Sequence, residues 1–208
     1  MSDSRPPHSI YLASKSPRRA ELLRQIGVEF TELRLREAPG RERDVEEGPR
    51  AGESPRDYVT RIARTKALVA WHRMGQRGLP ALPVLAADTE VALDGVIFGK
   101  PTDAADAARM LAALSGRTHE VMTAFYLKWD RVIDGALSIS QATFRTLTTE
   151  EIERYCASGE PLDKAGAYAI QGRGAVFVAR LEGSYSGVMG LPLYETAEVL
   201  ARVGVVVL

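Results

Sequence analysis

The sequence predicts an α/β protein built on a mixed, twisted sheet with flanking helices. Short apolar runs that suit strands alternate with segments of helical periodicity, and most of the helical segments begin with a capping signal of their own. Two long β-rich runs, residues 120–129 and 132–146, follow each other across a turn near Asp130, which is typical of an antiparallel pair. The 208 residues are expected to form one domain, with residues 1–8 as a flexible N-terminus.

Serine-proline pairs predict where the first two helices begin. Ser16 precedes Pro17 and Ser54 precedes Pro55, so each pair offers a side-chain N-cap followed by the residue favoured in the first helical position. The segment between these helices is rich in charge, Gly and Pro, as expected of a long loop. The elements predicted on this basis are strands at residues 9–13 and 28–35, helices from Ser16 to Gly27 and from Ser54 to about His72, and a loop at residues 37–53.

The second half of the chain continues the alternation. Asp94 and Gly95 form a turn pair that favours a tight hairpin, and residues 148–151 read Thr-Thr-Glu-Glu, the pattern of a capping box. The other predicted elements are an apolar run at residues 83–87, a hairpin at 90–98, a helix capped by Thr102 and ending at 115–116, a helix through Cys156, a strand at 176–181 and a helix at 192–203.

Composition excludes several classes of function. The 27 basic and 27 acidic residues cancel, which argues against a general nucleic-acid-binding surface but leaves room for a local pocket that binds a small anion. Cys156 is the single cysteine, so an internal disulfide and a multi-cysteine zinc site are excluded. Neither an apolar run of ~20 residues nor a signal peptide is recognisable, and the expected location is the cytoplasm.

The first cluster with chemical potential lies between a predicted strand and a helix N-terminus. Ser14, Lys15, Arg18 and Arg19 stand where free backbone N–H groups and the helix dipole favour phosphate, and the basic side chains add charge-assisted donors. The alternative is that Ser16 and Pro17 merely start the helix and the arginines are solvated.

Asp88 and Thr89 directly follow the apolar run that ends at Ala87. An aspartate at the C-terminal end of a buried strand points into a crevice in α/β folds, where it can hold a divalent cation or take a proton from water. The alternative is a turn aspartate that accepts local N–H bonds.

Two lysines are candidates for phosphate contacts. Lys100 follows the predicted hairpin and precedes a helix cap, where an ammonium suits a phosphate oxygen, although a lone lysine is commonly a surface residue. Lys66 falls inside the apolar stretch 62–70, so it either extends to solvent along its stem or points into a polar cleft.

Residues 163–172 combine charged, amide and small side chains. Glycines there allow a backbone to approach a ligand closely, and the amide of Gln171 could read the edge of a base, while Asp163 and Lys164 could equally form a structural ion pair. The three histidines have no metal-ligand spacing, and His119 is expected to be structural or to contact a site residue from outside the site. The sequence does not support nucleophilic catalysis by Ser or Cys.

Together these segments resemble the Maf family of nucleoside triphosphate pyrophosphatases, once described as septum-formation inhibitors. Each segment is a weak signal by itself, but the order in which they occur is highly specific. The resemblance spans about residues 10–200 and rests on LASKSPRR at 12–19, YVTRIARTKA at 58–67, ADT at 87–89, GKP at 99–101, LSG at 114–116, DKAGAY at 163–168 and GLP at 190–192.

The resemblance implies two lobes around a central cleft, as in inosine triphosphate pyrophosphatases. It implies hydrolysis of a nucleoside triphosphate to the monophosphate and pyrophosphate, with Mg²⁺ or Mn²⁺ as cofactor. Asp88 matches the family's proton acceptor, and Arg18, Thr89 and Gln171 match positions assigned to substrate specificity. A cellular role in removing modified nucleotides, with a link to arrest of cell division, is implied as well.

The DKAGAY stretch followed by Gln171 resembles the branch that hydrolyses dTTP and UTP. A glutamine amide can accept from N3–H of uracil or thymine and donate to a ring carbonyl. A flipped amide could address cytosine, so modified pyrimidine nucleotides are further candidate substrates. The alternative inside the family is 7-methyl-GTP pyrophosphatase activity.

The candidate site is assembled from these matches. Asp88 is expected to be catalytic and to contact the metal, and the family also places an acidic residue soon after the second strand. Glu37 is nearest to that strand and is preferred over Asp44, Glu46 and Glu47. The expected substrate-binding residues are Ser14, Arg18, Arg19, Lys66, Thr89, Lys100 and Gln171.

Two rival functions come from other classes. A nucleotide-binding division regulator without turnover would be expected to lack catalytic groups, but Asp88, Lys100 and Gln171 are retained. A nucleic-acid module is disfavoured by the zero net charge and by the lack of an aromatic platform. The expected partner is therefore a nucleoside triphosphate, with no nucleic acid, no membrane and a possible homodimer.

Overall fold

The computed structural model describes residues 8–36 and 44–207. The predicted flexible N-terminus lies outside the described residues except for His8, and so does Glu37. Within the described ranges the strands are β1 (Ser9–Leu12), β2 (Glu29–Glu32), β3 (Val84–Leu93), β4 (Val96–Phe98), β5 (Thr118–Trp129), β6 (Val132–Phe144) and β7 (Val178–Glu182). The α-helices there are α1 (Pro17–Gln25), α2 (Pro55–Gln76), α3 (Ala104–Leu114), α4 (Thr149–Ala157), α5 (Tyr185–Met189) and α6 (Leu193–Arg202).

The strands form one mixed sheet in the order β2-β1-β3-β5-β6-β7, with β4 paired to β3. β1 runs parallel to β2 and β3. The pairs β3–β5, β5–β6 and β6–β7 are antiparallel. The long pairing of β5 with β6, from Thr118 opposite Thr143 to Trp129 opposite Val132, confirms the predicted antiparallel pair. The predicted mixed α/β fold is confirmed.

The sequence suggested that the strand before Asp88 ends at this residue, and the structure shows that it does not. β3 continues from Val84 to Leu93, because β5 pairs with it along nearly its whole length. The other neighbour, β1, pairs with β3 only at Val84 and Leu85. The apolar run ends at Ala87 because the strand there leaves its parallel neighbour and borders a cleft, so that polar residues follow without a turn.

Local capping signals predicted where the helices begin, but for α3 they indicated the wrong capping residue. Ser54 accepts from the N–H of Asp57, and Thr148 forms the predicted capping box with Glu151. α3 is capped by Asp103 rather than by Thr102, because the Asp103 carboxylate accepts from the N–H of Asp106 at 2.8 Å. A carboxylate is the better acceptor at a helix N-terminus, where it also meets the positive end of the dipole.

Ser16 occupies the N-cap position of α1, and Pro17 stands in the first turn as predicted, but the Ser16 side chain makes no capping bond. Its backbone N–H instead donates to Oγ of Ser14 at 3.1 Å. The N–H groups of this helix start are therefore not covered by the serine, which suits a site where an anion could bind.

Apolar cores lie on both sides of a cleft. One packs α3 and α4 against β5 and β6, with Leu111, Leu114 and Phe144 at its centre. Another packs α1 and α6 against the opposite part of the sheet around Ile10 and Leu23. α2 covers a further face of the sheet through smaller clusters. In the described ranges no helix is both long and apolar enough to span a membrane.

His119 is a structural residue, as expected from the sequence. It is 2% exposed, its Nε2 lies 2.9 Å from the hydroxyl of Tyr168, and its ring meets Phe144 edge-on at 4.9 Å. Nδ1 is buried without a hydrogen-bond partner. Burial lowers the pKa of His119 to about 4, because the imidazolium would lose its hydration.

This burial predicts a stability that falls in mild acid. Between its ordinary pKa near 6.5 and about pH 4, the unfolded chain binds a proton at His119 that the folded chain does not, so stability rises with pH in this window. We expect His119 to account for a loss of roughly 3 kcal/mol in the free energy of unfolding between pH 7 and pH 4. Urea titrations of wild type and His119→Gln across this range measure the effect, and equal pH slopes in the two proteins would contradict it.

Candidate active site

A cleft of about 560 Å³ opens beside the exposed edge of β3. Its volume suits a drug-sized or nucleotide-sized ligand. Residues from α1, α2 and β3 contribute to its wall, together with the segment between β1 and α1 and two later loops. All eight described residues of the predicted site line it, namely Ser14, Arg18, Arg19, Lys66, Asp88, Thr89, Lys100 and Gln171.

Lys66 and Asp88 form the centre of the cleft. Nζ of Lys66 lies 2.8 Å from Oδ1 of Asp88 and 2.6 Å from Oε1 of Glu47. Burial alone would lower the pKa of Lys66, but the two carboxylates outweigh it and the pKa is raised. Lys66 lies in the middle of α2, and its ammonium lies in the cleft. Of the two orientations that the sequence left open, the side chain therefore points into a polar cleft and does not extend to solvent.

Two carboxylate oxygens at the centre of the cleft are buried without a hydrogen-bond partner. They are the second oxygen of Asp88, Oδ2, and Oε2 of Glu90. The two residues are separated by one position in β3 and therefore lie on the same face of the strand. Burial, and then the charge of Asp88, raise the pKa of Glu90 to about 8. Buried carboxylate oxygens without a hydrogen-bond partner are unusual, because their desolvation costs free energy. This face of β3 is therefore suited to bind a cation, a proton or a water molecule.

The acidic residue beside the centre is Glu47, which was a weaker alternative to Glu37 in the sequence. Glu47 lines the cleft and pairs with Lys66, whereas Glu37 lies outside the described residues. Asp44 is occupied elsewhere, since its carboxylate pairs with Arg73. Among residues 8–36 and 44–207, no group of three or more His, Cys, Asp or Glu side chains is already arranged to hold a metal ion.

Arg19 makes three hydrogen bonds to protein groups that surround the cleft. Its Nε donates to the carbonyl of Gly190 at 2.8 Å, Nη1 to Oγ of Ser14 at 3.2 Å and Nη2 to Oγ1 of Thr89 at 3.0 Å. Thr89 in turn lies 2.9 Å from Oγ1 of Thr123. Burial lowers the pKa of Arg19, and the charge of Asp88 opposes this effect. Three of its donors thus hold protein groups in this structure, and its part in fixing Ser14 and Thr89 is the role that the geometry supports.

The cationic wall of the cleft is formed by other residues. Arg18 lies at the start of α1 and makes an ion pair with Asp163 at 3.5 Å across the cleft. Lys100 is exposed beyond β4, and Lys164 pairs with Asp163. The structural ion pair that the sequence allowed for Asp163 and Lys164 is therefore present, and Asp163 also connects the two sides.

Gln171 is exposed at the cleft, directly after the buried Ile170 and before a 3₁₀ turn at Arg173–Phe177. Its side chain is available to a ligand on the side of the cleft opposite α1. The separation of this loop from Asp88 in the sequence is 83 positions, and only the fold brings them to the same cavity.

Sequence reasoning missed Glu90 and the cross-cleft contact of Asp163. Glu90 was assigned to the start of a hairpin, although its two-residue spacing from Asp88 would have placed both carboxylates on one strand face. The pairing of Asp163 with Arg18 joins residues 145 positions apart and leaves no local signal in the sequence.

Comparison with known proteins gives one family match and several close relatives. The family model described as Maf-like protein matches residues 9–203. A protein of Nitrosomonas europaea is 54% identical over 94% of this chain and 95% of its own length. Proteins of Cupriavidus metallidurans and Ralstonia nicotianae are 56% and 57% identical, over 94% and 96% of this chain and over 96% and 95% of their own lengths. All three relatives are named dTTP/UTP pyrophosphatase. With a matching model over nearly its whole length and relatives of this similarity, the chain belongs to the Maf family.

Proposed function

We propose that this protein hydrolyses dTTP and UTP to the nucleoside monophosphate and pyrophosphate. The observation that carries the proposal is the unpartnered Oδ2 of Asp88, buried at the centre of a cleft that also presents Arg18, Lys100 and Gln171. The names of the close relatives support the same activity.

Asp88 is the proposed base. A carboxylate oxygen without a partner can accept a proton from a water molecule, and general-base catalysis needs that acceptor within hydrogen-bond reach of the water. The water oxygen forms a bond to the α-phosphorus, its proton passes to Asp88, and the bond from the α-phosphorus to the bridging oxygen of the β-phosphate breaks. Pyrophosphate leaves with that bridging oxygen and the electron pair of the broken bond.

Lys66 holds the base in position. Its hydrogen bond to Oδ1 at 2.8 Å fixes one oxygen of Asp88 and leaves Oδ2 free for the water. The N–H groups at the start of α1, together with Arg18 and Lys100, offer donors and positive charge to the phosphates. Arg19 orients Ser14 and Thr89 beside them through its own hydrogen bonds.

A divalent cation, Mg²⁺ or Mn²⁺, is the proposed cofactor. The unpartnered oxygens of Asp88 and Glu90, with Glu47 beside them, are the hard oxygen ligands that these ions prefer. Asp88 and Glu47 would hold the ion, and the carboxyl of Glu90, whose pKa is raised to about 8, offers a further oxygen ligand on the same face. When bound, the ion neutralises charge on the triphosphate and pyrophosphate.

Gln171 is the proposed reader of the base. Its amide can accept from N3–H of uracil or thymine and donate to the adjacent carbonyl, which predicts a preference for UTP and dTTP over CTP. A site that hydrogen-bonds a specific edge of a base discriminates strongly, because a mismatched base covers the amide of Gln171 without pairing it.

A substrate panel tests the proposal. Wild-type protein is incubated with Mg²⁺ and dTTP, UTP, CTP, dATP, GTP or 7-methyl-GTP, and the products are resolved as mono- or diphosphates. We expect monophosphate and pyrophosphate from dTTP and UTP. Preference for 7-methyl-GTP would contradict the assigned substrate, and no turnover with either Mg²⁺ or Mn²⁺ would favour a nucleotide-binding regulator.

We further propose that the protein acts on free nucleotides in the cytoplasm, where removal of modified pyrimidine nucleotides would be its role. The equal numbers of acidic and basic residues support a small anionic ligand over a nucleic acid. Binding to a random oligonucleotide that weakens steeply with salt would contradict this.

A further inference from the structure

The loop that carries Gln171 is held by two side chains from outside the cleft wall. We call residues 169–174 the Gln171 loop. Tyr155 projects from α4, and Glu160 begins the 3₁₀ turn at Glu160–Asp163. Neither residue is part of the cleft lining, yet both make hydrogen bonds to the backbone of this loop.

Glu160 binds the far end of the loop. Its Oε2 accepts from the N–H of Arg173 at 3.1 Å, and its Oε1 accepts from the N–H of Gly174 at 3.2 Å. Burial alone would raise the pKa of Glu160, but the hydroxyl of Tyr155 and these two N–H groups outweigh it, so the pKa is lowered. The side chain therefore acts as an ionised acceptor that holds two consecutive N–H groups.

Tyr155 connects Glu160 to the near end of the loop. Its hydroxyl donates to Oε1 of Glu160 at 2.8 Å and accepts from the N–H of Ala169 at 3.2 Å. The ring is 5% exposed and packs edge-on against Phe177 at 4.9 Å. A buried ring on a regular helix thus supports a chain of hydrogen bonds that starts before Gln171 and ends after it.

The glycines of the loop allow this close contact. A Cβ on Gly172 would overlap Oε1 of Glu160, and one on Gly174 would lie 2.8 Å from the hydroxyl of Tyr155. Both glycines therefore pack directly on the two supporting groups. Hydrogen bonds therefore hold the loop both before and after Gln171, and Gln171 itself lines the cleft.

We propose that Glu160 and Tyr155 are positioning residues that set the preference for uracil and thymine by fixing the Gln171 loop. The inference rests on the proposed function, in which Gln171 reads the base. A base-reading amide discriminates only when its donor and acceptor are held in place, because a mobile amide can turn to suit another base. Two side chains outside the cleft lining would in this way decide which base is accepted.

Three variants and one control test this. Glu160→Gln keeps the shape but sets an NH₂ donor against one of the two backbone N–H groups, and Tyr155→Phe leaves the N–H of Ala169 without its acceptor. Gln171→Ala defines complete loss of base reading. Glu151→Gln is the control. Like Tyr155, Glu151 lies on α4, and like Glu160 it accepts from a backbone N–H, that of Thr148; it also pairs with the side chain of Arg145. It makes no hydrogen bond to the Gln171 loop.

We expect kcat/KM for UTP to fall about tenfold in Glu160→Gln, chiefly through KM, because ground-state and transition-state binding of the base weaken together. Hydrolysis of CTP should change little, so the ratio of UTP to CTP approaches that of Gln171→Ala. Tyr155→Phe should shift the ratio in the same direction. Glu151→Gln should lose stability but keep the wild-type ratio. Hydrogen exchange without nucleotide should accelerate at residues 169–174 in the first two variants alone.

An unchanged UTP to CTP ratio in folded Glu160→Gln and Tyr155→Phe would overturn the proposal, and so would an equal fall for all nucleotides carried by kcat. If Glu160→Gln does not fold, the ratio measured in Tyr155→Phe decides between these outcomes. The proposed function fails separately, when wild type hydrolyses no triphosphate. The ratio of UTP to CTP dissociation constants, together with the exchange rates, then decides whether the two residues position Gln171.

Discussion

Replacing Asp88 by Asn is expected to lower kcat for dTTP and UTP by about a thousandfold, within the range that a positioned general base contributes. The amide has nearly the same shape, and its oxygen can still accept from Nζ of Lys66, but it cannot take a proton from water. Stability should change by less than about 1 kcal/mol, because the hydrogen bond to Lys66 can be kept and the ammonium still pairs with Glu47.

Steady-state kinetics and urea unfolding of Asp88→Asn measure both quantities. The matched control is Asp134→Asn, which removes a carboxylate that pairs with Arg202 on the surface at 2.7 Å and should keep full activity. If Asp88→Asn hydrolysed UTP at the wild-type rate with the same dependence on Mg²⁺, Asp88 would not be the base.

Replacing Lys66 by Met is expected to damage both stability and catalysis. The side chains of Lys66 and Asp88 are 15% and 12% exposed, and loss of the ammonium leaves Asp88, Glu47 and Glu90 facing one another. Breaking a largely buried pair from one side costs about 3 kcal/mol. We expect a fall in kcat of about a hundredfold as well, because Asp88 loses the group that orients it.

A double-mutant cycle separates the two effects. Lys66→Met combined with Asp88→Asn should recover much of the lost stability, since the charge left unpaired in the single variant is removed. Lys100→Met is the control, because this exposed lysine should affect KM with little change in stability. Additive losses in the double variant would show that Lys66 and Asp88 do not act as a pair.

Helix starts and strand pairs could be predicted because their signals are local. Ser54 and Thr148 cap their helices through N–H groups three residues away, and Asp94 with Gly95 forms the turn of a hairpin through positive φ at both positions. The choice between Thr102 and Asp103 was also local, but it depended on which of two adjacent acceptors reached the helix N–H groups, and spacing alone does not determine that.

The site required more than local signals. Motif order brought Ser14, Asp88, Lys100 and Gln171 together as one candidate site, and the structure lines one cleft with all of them. It did not indicate that Arg19 directs its donors to Gly190, Ser14 and Thr89. Nor did it favour Glu47, since nearness to a strand in sequence does not measure nearness to Lys66 in space.

By itself, therefore, the sequence determined the mixed α/β class, the positions of most helices and strands, the family and the chemical types that surround the cleft. These follow from periodicity, capping and motif order, which act over a few residues or are written directly in the residue types. Only the tertiary structure decided that Asp88 lies in the middle of a strand, that Lys66 pairs with it, and that Glu90 shares its face. It also decided that Tyr155 and Glu160 hold the Gln171 loop. The physical reason is that hydrogen bonds, burial and charge depend on distance in space, and residues far apart in the chain acquire those distances only when the sheet and helices pack.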